Sequence, residues 1–397
     1  MFLTSFASRA VVLTALLLAL SIPLAHSEAL DIPAPIIQPG YAPAVDARDD
    51  EKGFWMSMDE AVESLNRSPL VVRDGVLDEY VTNLACEIAE EYCADLKVFV
   101  IRNPYFNASM APNGAMLVHT GLLVRAVSSD QVAAVLGHEL AHYTQTHSIK
   151  RWRVLKNRMT VGALFSIALG ATGTGGGGLP EILAMSSVMG YGRKQESEAD
   201  LLGSYFMGRS GYDPAAAASI WLMLEEEEAR ASFKRPKGPL FLSSHPRPES
   251  RASVLSAVAV KLGRVPERSA PDPFVDVVQS SYEILMDEQV KHGDHGRLQV
   301  LLDRHEAMGI AATDVAFYRG ESWRLRDGAG DHEKAMAAYQ LAVSAEAPNP
   351  RAYRELGYLQ YKYGEVEEAR TNFRSFLELE PTASDREMIE FYLEDAW

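Results

Sequence analysis

The segment LGHELAHYTQTH, residues 136–147, limits how this chain can fold more than any other feature. Its H-E-x-x-H pattern places His138 and His142 four residues apart, with Glu139 directly after the first. On an α-helix both imidazoles project from one face, so one metal ion could meet both. A hydrolytic zinc site needs three protein ligands and one open position. The third ligand must therefore come from elsewhere in the chain, and the fold must bring it to this helix.

Local patterns around the motif predict a domain of helices with a few strands. Ser128 and Gln131 form a capping-box pattern directly before an apolar run, which predicts that the motif lies on a helix of at least four turns. Residues 76–91 have the apolar period of a helix. The segments at 97–101 and 115–124 are β-branched and apolar, which predicts short strands.

A carboxylate ligand is available in GRKQESEADLLGSYF at 192–206. Glu196, Glu198 and Asp200 lie at the start of a predicted helix, and Glu196 and Asp200 share a face because they are four residues apart. One of them can bind the metal while the other holds a ligand imidazole through its second nitrogen. The alternative is a solvated acidic helix start, which the helix dipole favours on any surface.

The first 27 residues have the pattern of a secretory signal peptide. Arg9 precedes an apolar run at 10–20, and Pro23 and small residues follow. An uncleaved membrane anchor is the alternative, although the run is shorter than the ~20 residues that a membrane-spanning helix needs. No cysteine directly follows the run, which argues against a lipoprotein. We therefore expect export and cleavage. The proline-containing residues 28–52 are predicted to be a linker or an extended surface segment.

Cys86 and Cys93 are the two cysteines of the chain. Disulfides persist in an oxidising compartment, but on one continuous helix these residues would lie ~10 Å apart along the axis. A bond requires the helix to end near Tyr92. The sequence alone does not decide between a disulfide bond and two buried thiols.

The last third of the chain repeats a pattern of small and aromatic residues. Ala335, Tyr339 and Ala342 recur 34 residues later as Ala369, Phe373 and Phe376. This is the period of the tetratricopeptide repeat, in which small residues let paired helices approach and aromatic residues fill the gap. Since two copies rarely stand alone, helices within 274–309 are expected to complete the stack.

Four segments together resemble the M48 family of zinc metallopeptidases. GHELAHYTQTH and the later RKQESEAD resemble the family signature, HExxH followed by ExxxD. NASMAPNGAMLVHTGLL resembles the segment before the motif helix, and HPRPESR resembles the histidine-bearing loop. The resemblance covers about residues 76–251. With a tetratricopeptide-like domain after it, the chain is similar to the periplasmic branch that includes the outer-membrane-assembly protease/chaperone.

The resemblance implies an α+β, mainly α fold with two domains. A zincin-type metallopeptidase domain with a small sheet would occupy 53–270, and an all-α helical repeat domain would occupy 271–397. One Zn²⁺ per chain would be bound by three ligands, namely His138, His142 and Glu196. The ExxxD spacing favours Glu196 over Glu198 as the third ligand, with Asp200 holding a ligand imidazole.

Two further residues take catalytic roles in this family resemblance. Glu139 would be the general base, because zinc lowers the pKa of its bound water to ~7 and a neighbouring carboxylate can take the proton. His245 would lie near the metal, either donating to the oxyanion or occupying the open coordination position of a closed site. The alternative is an ordinary loop histidine before Pro246. His119 and His147 are expected to be surface or core polar residues, not ligands.

The predicted function is a periplasmic zinc endopeptidase that cleaves unfolded or misassembled envelope proteins. A substrate could add in extended form to the edge of the strand predicted at 115–124, and the repeats could recruit clients or other protein partners. The alternative is a chaperone-like scaffold with a plugged or vestigial metal site. An unrelated HExxH hydrolase such as an aminopeptidase would need a free-amine anchor, which the sequence does not clearly supply.

Charge and hydropathy limit the other partners. The formal net charge of −16 excludes a general nucleic-acid binder, because no basic excess neutralises phosphates. Residues 159–190 combine two apolar runs with a Gly-rich insert. We expect a local helical cover followed by a flexible loop, with peripheral membrane contact as the alternative.

Overall fold

The computed structural model describes residues 30–41, 49–156, 191–233, 245, 251–263, 265–266, 268 and 270–394. The predicted signal peptide and the predicted cover at 159–190 lie outside the described residues. Within the described part, every helix is too short or too polar to span a bilayer.

The first part of the described chain combines helices with three short strands, in agreement with the predicted α+β, mainly α fold. In order, the elements are α1 (Asp49–Arg67), α2 (Leu77–Ala89), a 3₁₀ helix (Glu90–Asp95), β1 (Lys97–Ile101), β2 (Ala108–Met110), β3 (Ala115–His119), α3 (Thr120–Leu123), α4 (Ser129–Thr144), α5 (His147–Lys156), α6 (Arg193–Arg209), α7 (Ala216–Arg230) and α8 (Arg251–Leu262).

β3 is the central strand of the sheet. It pairs in parallel with β1, where Phe99 lies opposite Leu117, and antiparallel with β2, where Ser109 lies opposite Leu117. Both faces are covered, because Met116 packs in the core with α4 while Leu117 packs with α1. The predicted addition of a substrate to the edge of this strand is therefore wrong, since both edges of β3 are already paired. Among the described strands, β2 and β1 are the outer ones.

The motif helix α4 begins where the capping pattern predicts. Ser128 Oγ accepts a hydrogen bond from the Gln131 amide at 3.4 Å, and Gln131 Oε1 accepts one from the Val127 amide at 2.9 Å. The first bond satisfies an amide group that the first turn of a helix leaves without an intrahelical partner, and the second ties the residue before the N-cap to the helix. Nearly every residue of α4 is buried, because α2, α6, α7 and the sheet surround it.

Two glycines let α4 and α6 touch along their backbones. A Cβ atom built on Gly203 would lie 2.7 Å from the backbone nitrogen of His138, and one built on Gly137 would lie 2.8 Å from the Gly203 carbonyl oxygen. Distances this short exclude any side chain at these positions. The close crossing places the first turns of α6 beside the second half of α4, where the motif lies.

Part of the predicted linker packs against the end of the motif helix. The amides of Ile36 and Ile37 donate to the Thr144 carbonyl oxygen at 2.9 and 3.2 Å, and Gln145 Nε2 donates to the Ala34 carbonyl oxygen at 2.8 Å. The Ile37 side chain is buried in the main core. The amides of residues 36 and 37 therefore satisfy the last carbonyl group of α4, and the carbonyl of residue 34 accepts from the side chain that follows the helix.

The two cysteines form a disulfide bond. Helix α2 ends at Ala89 and the chain continues as the 3₁₀ helix, so the Cα atoms of Cys86 and Cys93 lie 4.6 Å apart. Because the α-helix ends between the two cysteines, residues seven apart in sequence come close enough for a disulfide bond.

The C-terminal part is helical. Its elements are α9 (Phe274–Ser280), α10 (Tyr282–His292), α11 (His295–Met308), α12 (Ala312–Arg326), α13 (Asp331–Val343), α14 (Pro350–Lys362), α15 (Val366–Leu379) and α16 (Arg386–Glu394). In two consecutive pairs, a glycine of the first helix faces an aromatic ring of the second, Gly320 against Tyr339 and Gly357 against Phe373. All six residues of the 34-residue recurrence are buried, while membership of the tetratricopeptide class stays a prediction.

Candidate metal centre

Four side chains from three parts of the chain converge beside the motif helix. His138 and His142 project from α4, Glu196 lies in the first turn of α6, and His245 lies shortly before α8. One nitrogen or oxygen atom from each lies within 4.8 Å of the other three, and all four side chains are buried. The backbone contact between α4 and α6 is what brings Glu196 to the histidines.

The spacing and the atom types of this cluster fit a zinc ion. His138 Nε2 lies 3.0 Å from His142 Nε2 and 3.2 Å from His245 Nδ1. The Glu196 carboxylate oxygens lie 3.6 Å from His138 Nε2 and 3.5 Å from His142 Nε2. Tetrahedral ligands at about 2.0–2.1 Å from zinc would be about 3.3 Å apart. Imidazole and carboxylate are donors that zinc accepts, so the residues present fit this metal.

The protonation of these groups favours metal binding. Burial lowers the pKa of His138 and holds that of His142 well below its usual value, so both imidazoles are neutral near pH 7. Burial alone would raise the pKa of Glu196, but the neighbouring His245, His138 and Arg251 outweigh it and lower that pKa. Metal ligands must be deprotonated, and these three groups meet that condition.

Asp200 and Arg251 contact two of the candidate ligands, His138 and Glu196. Asp200 Oδ1 lies 3.1 Å from His138 Nδ1, the ring nitrogen that faces away from the cluster. Arg251 donates to Glu196 Oε2 at 2.9 Å and also to Asp200 Oδ1, while its guanidinium lies 4.4 Å from the centre of the Trp221 ring. Arg251 thus compensates two buried carboxylates. It is the last residue of HPRPESR, and the sequence interpretation gave it no role.

Glu139 lies beside His245. Its side chain is buried, and Oε1 lies 3.3 Å from His245 Nε2, which is ion-pair distance without hydrogen-bond alignment. Burial raises the pKa of Glu139 to about 7, although His245 opposes this shift. Burial acts to lower the pKa of His245, but Glu139 and Glu196 outweigh it and raise that pKa. A carboxyl group with a pKa near neutrality can both accept and return a proton.

Two further residues hold His142. His147 Nδ1 lies 2.8 Å from His142 Nδ1, and the Tyr191 ring stacks on the His142 ring with centres 3.8 Å apart. His147 is fully buried and contacts His142, a candidate ligand with which the sequence interpretation did not connect it. The only signal was its place five residues after His142. His119 is also buried, at the end of β3, and does not join the cluster.

Known proteins share the part of the chain that carries this cluster. Residues 72–259 match the model of Peptidase family M48. The chain is 31% identical over 166 residues to the mitochondrial metalloendopeptidase OMA1 of Schizosaccharomyces pombe, covering 41% of this chain and 47% of the relative. It is 28% identical over 235 residues to the beta-barrel assembly-enhancing protease of Escherichia coli K12, covering 54% and 47%. A relative in Vibrio cholerae is 32% identical over 203 residues, covering 49% and 41%.

The chain thus spans less than half the length of these relatives. The match to the family model nevertheless contains the whole cluster, from His138 in α4 to His245 and Arg251. Over residues 72–259, this chain is therefore similar to peptidase family M48.

Proposed function

We propose that the chain is a zinc-dependent endopeptidase of the cell envelope, with one Zn²⁺ held by His138, His142 and Glu196. The observation that carries this proposal is the convergence of their ligand atoms within a sphere of metal-site size, beside a buried carboxylate that does not belong to the ligand set. Asp200 orients His138, and Arg251 keeps the two carboxylates ionised despite their burial.

In this proposal, Glu139 moves the proton that peptide hydrolysis requires. The zinc ion, when bound, polarises the scissile carbonyl and lowers the pKa of water. Glu139 takes a proton from the attacking water as its oxygen forms a bond to the carbonyl carbon. The carbon–nitrogen bond then breaks, and Glu139 returns the proton to the leaving amine. The pKa of about 7 suits both transfers.

We propose that the substrates are unfolded or misassembled envelope proteins met in the periplasm. The name of the Escherichia coli relative connects that protein with beta-barrel assembly, and the signal-peptide pattern at 1–27 favours export. Residues 271–397 would recruit clients or partners, because stacked helix pairs expose extended surfaces. An extended substrate could pair with the outer edge of β2, which is adjacent to α4.

A chaperone-like scaffold with a plugged site is the second candidate. His245 favours it, because its Nδ1 lies 3.2 Å from His138 Nε2 and 3.1 Å from Glu196 Oε1. An imidazole at these distances can fill the fourth corner of a tetrahedral site, which a hydrolase must leave to water. The two candidates are compatible if His245 leaves that corner when a substrate binds.

Replacing Glu139 separates these candidates. We expect Glu139→Gln to keep close to one zinc per chain and to lose cleavage of a disordered protein substrate by at least about 100-fold, the usual minimum for removing a general base. Metal content is measured by elemental analysis, and cleavage by gel electrophoresis. His142→Leu is the companion variant, which should lose the zinc. Equal cleavage by Glu139→Gln and wild type would contradict the proposed mechanism.

A further inference from the structure

We propose that His147 and Glu198 form a relay that fixes the ring orientation of His142 in the metal site. His147 is then a positioning residue, which acts through His142 and touches neither metal nor substrate. This inference rests on the proposed zinc site and adds two residues to it.

Three side chains form a continuous chain of contacts leading away from the cluster. His142 Nε2 faces His138 and Glu196, while His142 Nδ1 lies 2.8 Å from His147 Nδ1. The other nitrogen of His147, Nε2, lies 3.2 Å from Glu198 Oε2. Both imidazoles are fully buried, whereas Glu198 is part-exposed. The relay thus runs from the centre of the site to its surface.

The positions of the protons follow from these contacts. A ring nitrogen that binds a metal carries no proton, so the proton of neutral His142 must lie on Nδ1. His147 Nδ1 must then accept that proton in a hydrogen bond, which places the proton of His147 on Nε2. His147 Nε2 donates in turn to the Glu198 carboxylate. Each ring nitrogen in the relay is therefore either a donor or an acceptor. Exchanging donor and acceptor at one contact would leave two protons or two lone pairs facing each other.

The backbone before His147 supports this arrangement. Thr146 lies between α4 and α5 with φ of 53°, a left-handed conformation that β-branched residues rarely adopt. Its amide donates to the Tyr143 carbonyl oxygen at 2.8 Å, which closes a tight turn. The turn places His147, the first residue of α5, in contact with His142. Unfavourable backbone conformations of this kind persist where the surrounding contacts require them.

The relay gives both ligand imidazoles a fixed outer partner. His138 Nδ1 contacts Asp200 directly at 3.1 Å, whereas His142 Nδ1 is connected to the Glu198 carboxylate through His147. The Tyr191 ring stacks on one face of the His142 ring and so limits its tilt. It makes no hydrogen bond to the His142 nitrogens and therefore cannot select the tautomer. The contact with His147 therefore selects the tautomer of His142.

Two amide variants of His147 test the relay. Asparagine can place its amide oxygen near the position of Nδ1 and accept from His142, whereas glutamine places its amide near Nε2, out of reach of His142. We expect His147→Gln to raise the dissociation constant for zinc about 10- to 100-fold and His147→Asn to stay close to wild type. Zinc affinity is measured by competition with a chromophoric chelator, and the visible spectrum of the Co²⁺ form reports the ligand geometry.

His305→Gln is the matched control. His305 is equally buried and also makes two hydrogen bonds, to Tyr282 Oη at 2.8 Å and to the Val124 carbonyl oxygen at 2.7 Å, but it lies outside the cluster. This variant should keep the wild-type zinc affinity. Wild-type affinity in His147→Gln overturns the relay, as does an equal loss in both His147 variants, which would indicate packing alone. A wild-type chain that binds no zinc overturns the proposed metal site itself.

Discussion

His245 brings a fourth donor to a cluster whose proposed chemistry requires three protein ligands. Its Nδ1 lies on the ligand side, near His138 and Glu196, while its Nε2 lies 3.3 Å from Glu139. One imidazole therefore contacts both the ligands and the proposed base. If the site is plugged as in the second candidate function, an imidazole in this position would keep water from the fourth corner and Glu139 from a substrate.

Removing His245 should open the site. We expect His245→Ala to keep its zinc, since three ligands remain, and to cleave a disordered substrate faster than wild type. Losing buried contacts worth roughly 1.5–3 kcal/mol corresponds to an increase of about 10- to 150-fold at most. Initial rates at equal zinc content are the measurement. A lower rate with zinc retained would instead assign His245 to stabilisation of the oxyanion.

At the scale of helices, the α4–α6 crossing determines whether the ligands can meet. Gly203 faces the backbone of His138 with no room for a methyl group. We expect Gly203→Ala to push the helices apart, to reduce the free energy of unfolding by about 1–3 kcal/mol and to weaken zinc binding, because Glu196 and Asp200 lie on the displaced helix. Urea unfolding and chelator competition measure the two effects.

Gly53→Ala is the control for this substitution. Gly53 is exposed on α1, and a Cβ atom there would meet nothing within 4 Å. Alanine favours a helix over glycine by about 1 kcal/mol, so this variant should be as stable as wild type or more so. Equal stability and zinc affinity of Gly203→Ala and wild type would mean that the crossing tolerates a side chain.

Local sequence patterns predicted the elements of the site better than their contacts. Ser128 and Gln131 predicted the start of α4 because a capping box acts within a single turn. The order of strands is a tertiary property, so the edge predicted at 115–124 was wrong although residues 115–119 do form a strand. His147 and Arg251 were missed for the same reason, since their partners come from other elements and no short-range pattern marks them.

On the scale of the whole molecule, buried ion pairs join the peptidase region to the C-terminal helices. Glu227 of α7 accepts from Arg125 at 2.8 Å and from Arg304 of α11 at 2.8 Å, and Arg125 also donates to Gln289 of α10 at 3.1 Å. Glu227 is only 4% exposed. Helices α10 and α11 are thus joined to the part of the chain that carries the candidate metal centre through charges that have little access to water.

This network should make the stability of the molecule depend on pH. Burial alone would raise the pKa of Glu227, but Arg125 and Arg304 outweigh it and lower that pKa. A carboxyl group whose folded-state pKa is depressed contributes its stabilisation above the ordinary Glu pKa of about 4.3. The contribution is lost as the pH falls through the folded-state pKa, because the folded protein must then take up the proton.

Glu227→Gln tests this dependence. We expect the free energy of unfolding of this variant to be about 2–4 kcal/mol lower than that of wild type near pH 7, because two buried guanidinium groups lose the carboxylate that they share. The difference should shrink as the pH is lowered below about 4.

Glu226→Gln is the neighbouring control, because Glu226 is 64% exposed and pairs with Arg304 at 3.3 Å at the surface. Urea unfolding at several pH values should find the control within about 0.5 kcal/mol of wild type. A constant difference between Glu227→Gln and wild type across this range would show that the Glu227 carboxylate does not carry the coupling.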